Sequence, residues 1–308
     1  MKFASFVDNS GKTSWGVLGD SQKILDLSAK WPSLLAFLES GQWENQLLEI
    51  NSQLSRASIP VSSVKFLSPL PLPTQVRDGY AFRQHVEASR KNRGLPMIPE
   101  FEQFPVFYYG NRFSTYGEGD IPVREKAADR LDFELEVAIV IGKQGRNIKA
   151  KDADDYIFGY MIMNDWSARG WWSEEFKMSM GPAKGKDFAN SFGPYLVDRK
   201  SLSAFAKRDE RGEKLNLKMK AFLNGKQISE GNVTDMYWSF AQIIERASYG
   251  VTLFPGEVIG SGTCGSGCFF ETNGFEKEGR TWLQMGDTVV LEVDQLGRLE
   301  NRVVPEKV

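Results

Sequence analysis

Apolar and polar positions alternate over short distances along most of this chain. Between Lys2 and Leu27 the β-favouring runs KFASFV and SWGVLG are separated by DNSGK and GDSQK, which predicts a hairpin or small sheet. The period changes between Trp31 and Leu54, where Leu34, Leu35, Leu38, Leu47 and Leu48 recur at helical spacing. The segment SPLPLPTQ, residues 68–75, carries three prolines and suits neither a helix nor a central strand. It marks a boundary between a small N-terminal α+β domain over 1–66 and a larger domain over 67–308.

Beyond the boundary, Ala81, His85 and Ala88 predict a helix from about Ala81 to Arg93, closed by Gly94. Short runs broken by Gly and Pro follow: VFYYGNR, LDFELEVAIVIG, YIFGYMIMND, FGPYLV, GVTLFPGEVIGSG and DTVVLEVDQLG. LNGK reads as a tight turn between LKMKAF and KQIS, and SFAQIIERAS as a helix with a Ser cap from Ser239 to Ser248. Strands at this density without regular βαβ alternation predict a mainly β protein with a few helices (α+β), a mixed or antiparallel sandwich or barrel. No phosphate-loop lysine motif is present.

Composition narrows the function classes. Of 308 residues, 38 are Lys or Arg and 40 are Asp or Glu, so no global positive field draws nucleic acid or an anionic membrane. No window approaches the ~20 apolar residues of a membrane helix. Two cysteines, Cys264 and Cys268, make neither a disulfide framework nor a four-ligand zinc set, and they read as small filler. The expectation is a soluble, cytoplasmic protein acting on a small molecule. His85 is the one histidine, so imidazole chemistry falls to it alone.

In FELEVAIVIG, alternation on a strand puts Phe133, Leu135, Val137, Ile139 and Ile141 on one face and Glu134, Glu136, Ala138 and Val140 on the other. If that strand is buried, two same-face carboxylates repel and lose hydration, and a hard divalent cation resolves the conflict. The alternative is a solvated strand end where both acids are unremarkable. Asp165, which ends the apolar run from Tyr156 to Asn164, is either a third ligand or a cap. Lys186, in GPAKGKDF, can aim an ammonium at a substrate carboxylate or oxyanion, or it lies on a solvated basic turn. Tyr108 and the pair Trp171 and Trp172 suit a pocket wall or plain core, and Thr263 is the donor of a loop of small residues.

Taken in order, FELEVAIVIG, FGYMIMNDWSAR, GPAKGKDF and GEVIGSGT resemble the fumarylacetoacetate hydrolase family from about Pro69 onward. The resemblance implies that family's C-terminal mixed β-sandwich roll and a site for Mg²⁺ or Ca²⁺, with Mn²⁺ an acceptable substitute, on Glu134, Glu136 and Asp165. It also implies an Asp-x-Tyr…His set in Asp78, Tyr80 and His85, with Asp78 a further metal ligand. Arg169 and Lys186 would meet substrate oxygens, Tyr80 and Tyr108 would line the pocket, Thr263 would bind a carboxylate, and Glu271 would orient His85. Smaller relatives place a Glu three residues after the His, where this chain has Ala88. The implied activity is metal-dependent hydrolysis of a carbon–carbon bond in a β-diketone or acylpyruvate-type acid such as fumarylacetoacetate, by a homodimer. Oxaloacetate decarboxylation or tautomerisation is the alternative, and a non-catalytic Ca²⁺-binding β-protein is a second one.

Overall fold

The computed structural model describes residues 1–19, 22–273 and 282–307. The fold is organised around the strand Leu135–Ile141, every residue of which is buried. Val137, Ile139 and Ile141 enter one apolar core, while Ala138 and Val140 enter another. The alternation read from the sequence is therefore the partition between two layers.

This strand pairs on one side with Ile157–Asp165 and on the other with Glu257–Gly260, within a 12-stranded sheet. Glu257–Gly260 runs parallel to Gln75–Gly79, which makes the sheet mixed. A five-stranded sheet that includes Lys218–Leu223, Thr288–Val293 and Gly297–Pro305 contributes Met219, Leu291 and Leu299 to the first core. The expected mainly β, mixed architecture is what the chain adopts. The LNGK turn has Asn224 at φ 49° and Gly225 at φ 83°, the left-handed pair a two-residue hairpin needs.

The N-terminal strands extend the same sheet, since Lys2–Asp8 pairs with Asn190–Asp198. Trp15, Trp31 and Phe37 share the second core with Ala138, Val140 and Phe158, so apolar residues of 1–66 and of the larger part of the chain pack into one cluster. The single helix expected over Trp31–Leu54 is instead two, Leu34–Glu39 and Trp43–Gln53. Gly41, at φ 68°, stops the first, and the Trp43 indole N–H donates to the Gly142 carbonyl at 2.7 Å, which anchors the second.

The helix Arg83–Asn92 turns His85, Val86 and Ser89 inward. No helix among the described residues is long and apolar enough to cross a membrane.

Candidate active site

Strand register gathers the acids. Gly260 lies opposite Asp78 on one side and Ala138 on the other, and Leu135 lies opposite Asn164, so Asp78, Glu136 and Asp165 project from neighbouring strands at one end of the sheet. Glu134 precedes the central strand, and its backbone N–H donates to Asn164 Oδ1 at 3.0 Å. Carboxylate oxygens of Asp78, Glu134, Glu136 and Asp165 lie within 4.8 Å of one another, all in buried residues. Glycine makes the approach possible: a Cβ on Gly260 would stand 2.3 Å from Asp78 Oδ1 and 3.0 Å from Glu136 Oε2. The Gly262 N–H donates to both of those oxygens at 3.1 Å.

Two cations stand against this charge. Lys186 Nζ donates to Glu134 Oε2 at 2.5 Å and to Asp165 Oδ2, and Arg169 Nη2 donates to Glu134 Oε1 at 2.7 Å. Arg169 is also paired through Nε with Asp132, at 3.0 Å. Five buried carboxylates thus share two cations. Burial, then the neighbouring acids, raises Glu136 well above the ordinary carboxylate range. Burial likewise raises Asp78 and, well above the range, Asp165, despite Lys186 beside them. For Glu134 burial is outweighed by Lys186 and Arg169, which hold it below its ordinary value.

The cluster fits a hard divalent cation. Its donors are all oxygen, and the buried Asp165 Oδ1 has no hydrogen-bond partner. Asp78, Glu134, Glu136 and Asp165 would hold the ion.

Beside the acids is a cavity of ≈ 420 Å³ lined by residues that include His85, Tyr108, Arg169, Lys186 and Thr263. His85 Nδ1 meets Glu271 Oε1 at 2.6 Å, both side chains buried, while Nε2 has a long contact of 3.4 Å with Ser89 Oγ. Tyr80 packs edge-on to the imidazole at 5.4 Å. Tyr108 donates its hydroxyl to Asp165 Oδ2 at 2.5 Å. Thr263 Oγ1 lies 3.5 Å from Glu136 Oε1.

The candidate catalytic, substrate-binding and metal-binding residues read from the sequence therefore lie together, although Arg169 and Lys186 reach the carboxylates first. Lys186 has three N–H donors and spends two on Glu134 and Asp165, which leaves one for the cavity. Trp172 lines this cavity, and Trp171 lines a separate surface groove.

Three features escape the sequence. Asp132, fully buried, also accepts backbone N–H groups from Phe269 and Phe270 and so ties the Glu271 helix to Arg169. Gly260 is needed for its missing side chain. Arg93, half-buried at the cavity wall, lies over Trp172 and Phe176, 5.7 and 5.8 Å from the ring centres. No acid among the described residues forms an ion pair with it. Its position at the end of an ordinary basic helix turn gives no sign of this role.

The family model described as fumarylacetoacetate (FAA) hydrolase C-terminal matches residues 74–304. The chain is 30% identical over 257 residues to oxaloacetate tautomerase YisK of Bacillus subtilis (strain 168), covering 82% of this chain and 77% of that protein. It is also 30% identical over 295 residues to the mitochondrial oxaloacetate tautomerase FAHD2A of Homo sapiens, covering 93% and 85%. Among solved structures, fumarylacetoacetate hydrolase from Exiguobacterium antarcticum matches with a TM-score of 0.76 and 25% identity over 99% of this chain and 100% of the other. Maleylpyruvate hydrolase from Sphingobium sp. SYK-6, solved with manganese(II) and pyruvate, shares the fold with a TM-score of 0.73 at 22% identity, covering 100% of both chains.

Proposed function

The chain belongs to the fumarylacetoacetate hydrolase family, and on that premise we propose that it hydrolyses a carbon–carbon bond in an acylpyruvate-type β-dicarbonyl acid bearing a second carboxylate. The observation that carries this reading is the buried His85–Glu271 pair at 2.6 Å, placed on the wall of the cavity that adjoins the four acids. A silent ion-binding protein would have no use for that pair.

A divalent cation held by Asp78, Glu134, Glu136 and Asp165 would supply Lewis-acid stabilisation of negative charge on the substrate's keto oxygens. His85 Nε2 takes a proton from water, and the Glu271 carboxylate at Nδ1 favours the resulting imidazolium. The hydroxide oxygen bonds to the carbonyl carbon remote from the pyruvoyl end. The free N–H of Lys186 stabilises the oxyanion that forms. The carbon–carbon bond then breaks, its electron pair leaves as an enolate, and His85 returns the proton to the enolate carbon. The products are a carboxylic acid and a methyl ketone acid.

Tautomerisation of oxaloacetate is a second reading, supported by the names of the two 30%-identical relatives. It needs proton movement between carbon and oxygen but no water. Incubation with fumarylpyruvate, fumarylacetoacetate and oxaloacetate in Mg²⁺ or Mn²⁺, with products followed by NMR, separates the two. The expected result is equimolar release of two acids from a β-dicarbonyl substrate. Faster keto–enol equilibration of oxaloacetate without any cleavage would replace the hydrolase reading.

Arg93 supplies a test of the second carboxylate. For a dicarboxylate substrate, Arg93→Gln is expected to raise KM about tenfold with kcat nearly unchanged, the loss of a charge-assisted contact made equally in ground and transition states. A monocarboxylate acylpyruvate should show no such change.

A further inference from the structure

Cys268 is a buried thiol for which this reaction has no use. The sequence treats both cysteines as filler, and Cys264 fits that description, packed against the backbone at Gly231 and Gly267. Cys268 does not. Its Sγ lies 4.0 Å from His85 Nδ1 and 3.8 Å from Glu271 Oε1, which are themselves 2.6 Å apart. We propose that His85, Cys268 and Glu271 form a second metal site, selective for Zn²⁺ and similar borderline-soft ions, whose occupation switches the enzyme off.

The donor chemistry separates this site from its neighbour. The four-acid cluster offers only oxygen and suits Mg²⁺, Mn²⁺ or Ca²⁺, whereas an imidazole nitrogen, a thiolate and one carboxylate oxygen select Zn²⁺. The spacing is close to what is needed. Zinc–ligand bonds of about 2.0–2.3 Å place tetrahedral donors roughly 3.3–3.8 Å apart. The sulfur must therefore move a few tenths of an ångström, and the nitrogen and oxygen must separate by somewhat more.

The three donors are also held in place before any metal arrives. Asn92 Nδ2, on the helix of His85, donates to the carbonyls of Phe270 and Glu271 at 2.8 and 3.0 Å. The Ser266 N–H holds Glu271 Oε2 at 2.8 Å and leaves Oε1 for His85. Asp132 accepts the N–H groups of Phe269 and Phe270, immediately after Cys268. Two short helices are thus locked together with their nitrogen, sulfur and oxygen donors facing one point, and water completes the fourth position.

Zinc entry replaces the thiol proton, which leaves to solvent, and shifts the imidazole proton from Nδ1 to Nε2. No electron changes hands. A proton on Nε2 removes the lone pair that would accept one from water, so the bound ion abolishes catalysis without entering the four-acid site. The inhibition rests on the proposed role of His85 as base, whereas the binding of zinc does not.

The test uses protein saturated with Mg²⁺ and Co²⁺ as a spectroscopic probe. One equivalent of Co²⁺ should produce a thiolate-to-metal charge-transfer band that Zn²⁺ erases. Cys268→Ser should lack the band, and Cys264→Ser should keep it. In turnover assays Zn²⁺ should inhibit the native enzyme in a way that excess Mg²⁺ does not relieve. Cys268→Ser should keep its basal activity and need more than about 100-fold more Zn²⁺ for inhibition, since loss of a direct ligand exceeds the 10–100-fold cost of losing an outer partner. The proposal is overturned if no charge-transfer band forms, if the band is lost in Cys264→Ser and kept in Cys268→Ser, or if Mg²⁺ relieves inhibition equally in native and Cys268→Ser protein. A failed hydrolase assignment would show as absent cleavage with the band still intact.

Discussion

Replacing His85 with Ala is expected to lower kcat for carbon–carbon hydrolysis by about 10²–10⁴-fold, the usual contribution of a positioned general base. The reason is that no other group can take over. It is the sole histidine of the chain, and the acids of the cluster are committed to Lys186, Arg169 or one another. Glu271 cannot substitute, because its carboxylate is held by the Ser266 N–H on one oxygen and faces the imidazole with the other. Truncation also leaves Glu271 buried without its partner, so His85→Gln, which keeps a polar group there, is the companion variant. Both are to be measured by product formation and by circular dichroism. Folded His85→Gln protein that still hydrolyses within tenfold of the native rate would remove His85 from the mechanism. Oxaloacetate tautomerisation surviving in the same protein would show that cleavage and enolisation use different bases.

The parts of this site that were legible in the sequence are those whose chemistry conflicts with their surroundings. Glu134 and Glu136 stand out because they precede an apolar run, and the strand is indeed buried on both faces. The LNGK hairpin and the Ser239 cap were legible for a local reason, since φ > 0 and a helix N-terminus each demand particular side chains. Asp132 is harder to recognise, because its importance comes from Arg169 and the Phe269 and Phe270 amides, all remote in sequence. The break at Gly41 was hidden by leucines that keep a helical spacing across it. The surroundings of Cys268 are not legible in the sequence, because His85 and Glu271 meet it only after two helices dock. Local signals reveal the elements and the charges, and long-range contacts decide their partners.

The other large effect concerns the acids themselves. Glu136→Gln is expected to make the metal-stripped protein more stable than native by about 1–3 kcal/mol at neutral pH, as is common when a poorly compensated buried charge is replaced by an isostere. Its sign with pH follows from the shifts. Asp78, Glu136 and Asp165 are raised by burial and by one another, so the stability they contribute is complete below their unfolded values near 4 and drains away as pH rises through the higher folded ones. Glu134, held low against its own burial by Lys186 and Arg169, behaves oppositely and keeps its contribution at neutral pH. In EDTA, the advantage of Glu136→Gln over native protein should therefore grow from pH 5 to pH 8. Saturating Mg²⁺ or Mn²⁺ should reverse the order, because an ion at 100 times its Kd stabilises the native site by about 2.7 kcal/mol and the Gln variant has lost a charged ligand. Urea denaturation of both proteins, with and without metal at each pH, gives four comparisons. A Glu136→Gln protein less stable than native in EDTA, or equally stabilised by metal, would mean that Glu136 is neither strained by its neighbours nor a ligand. The same charge conflict that destabilises the stripped protein is what draws the cation in.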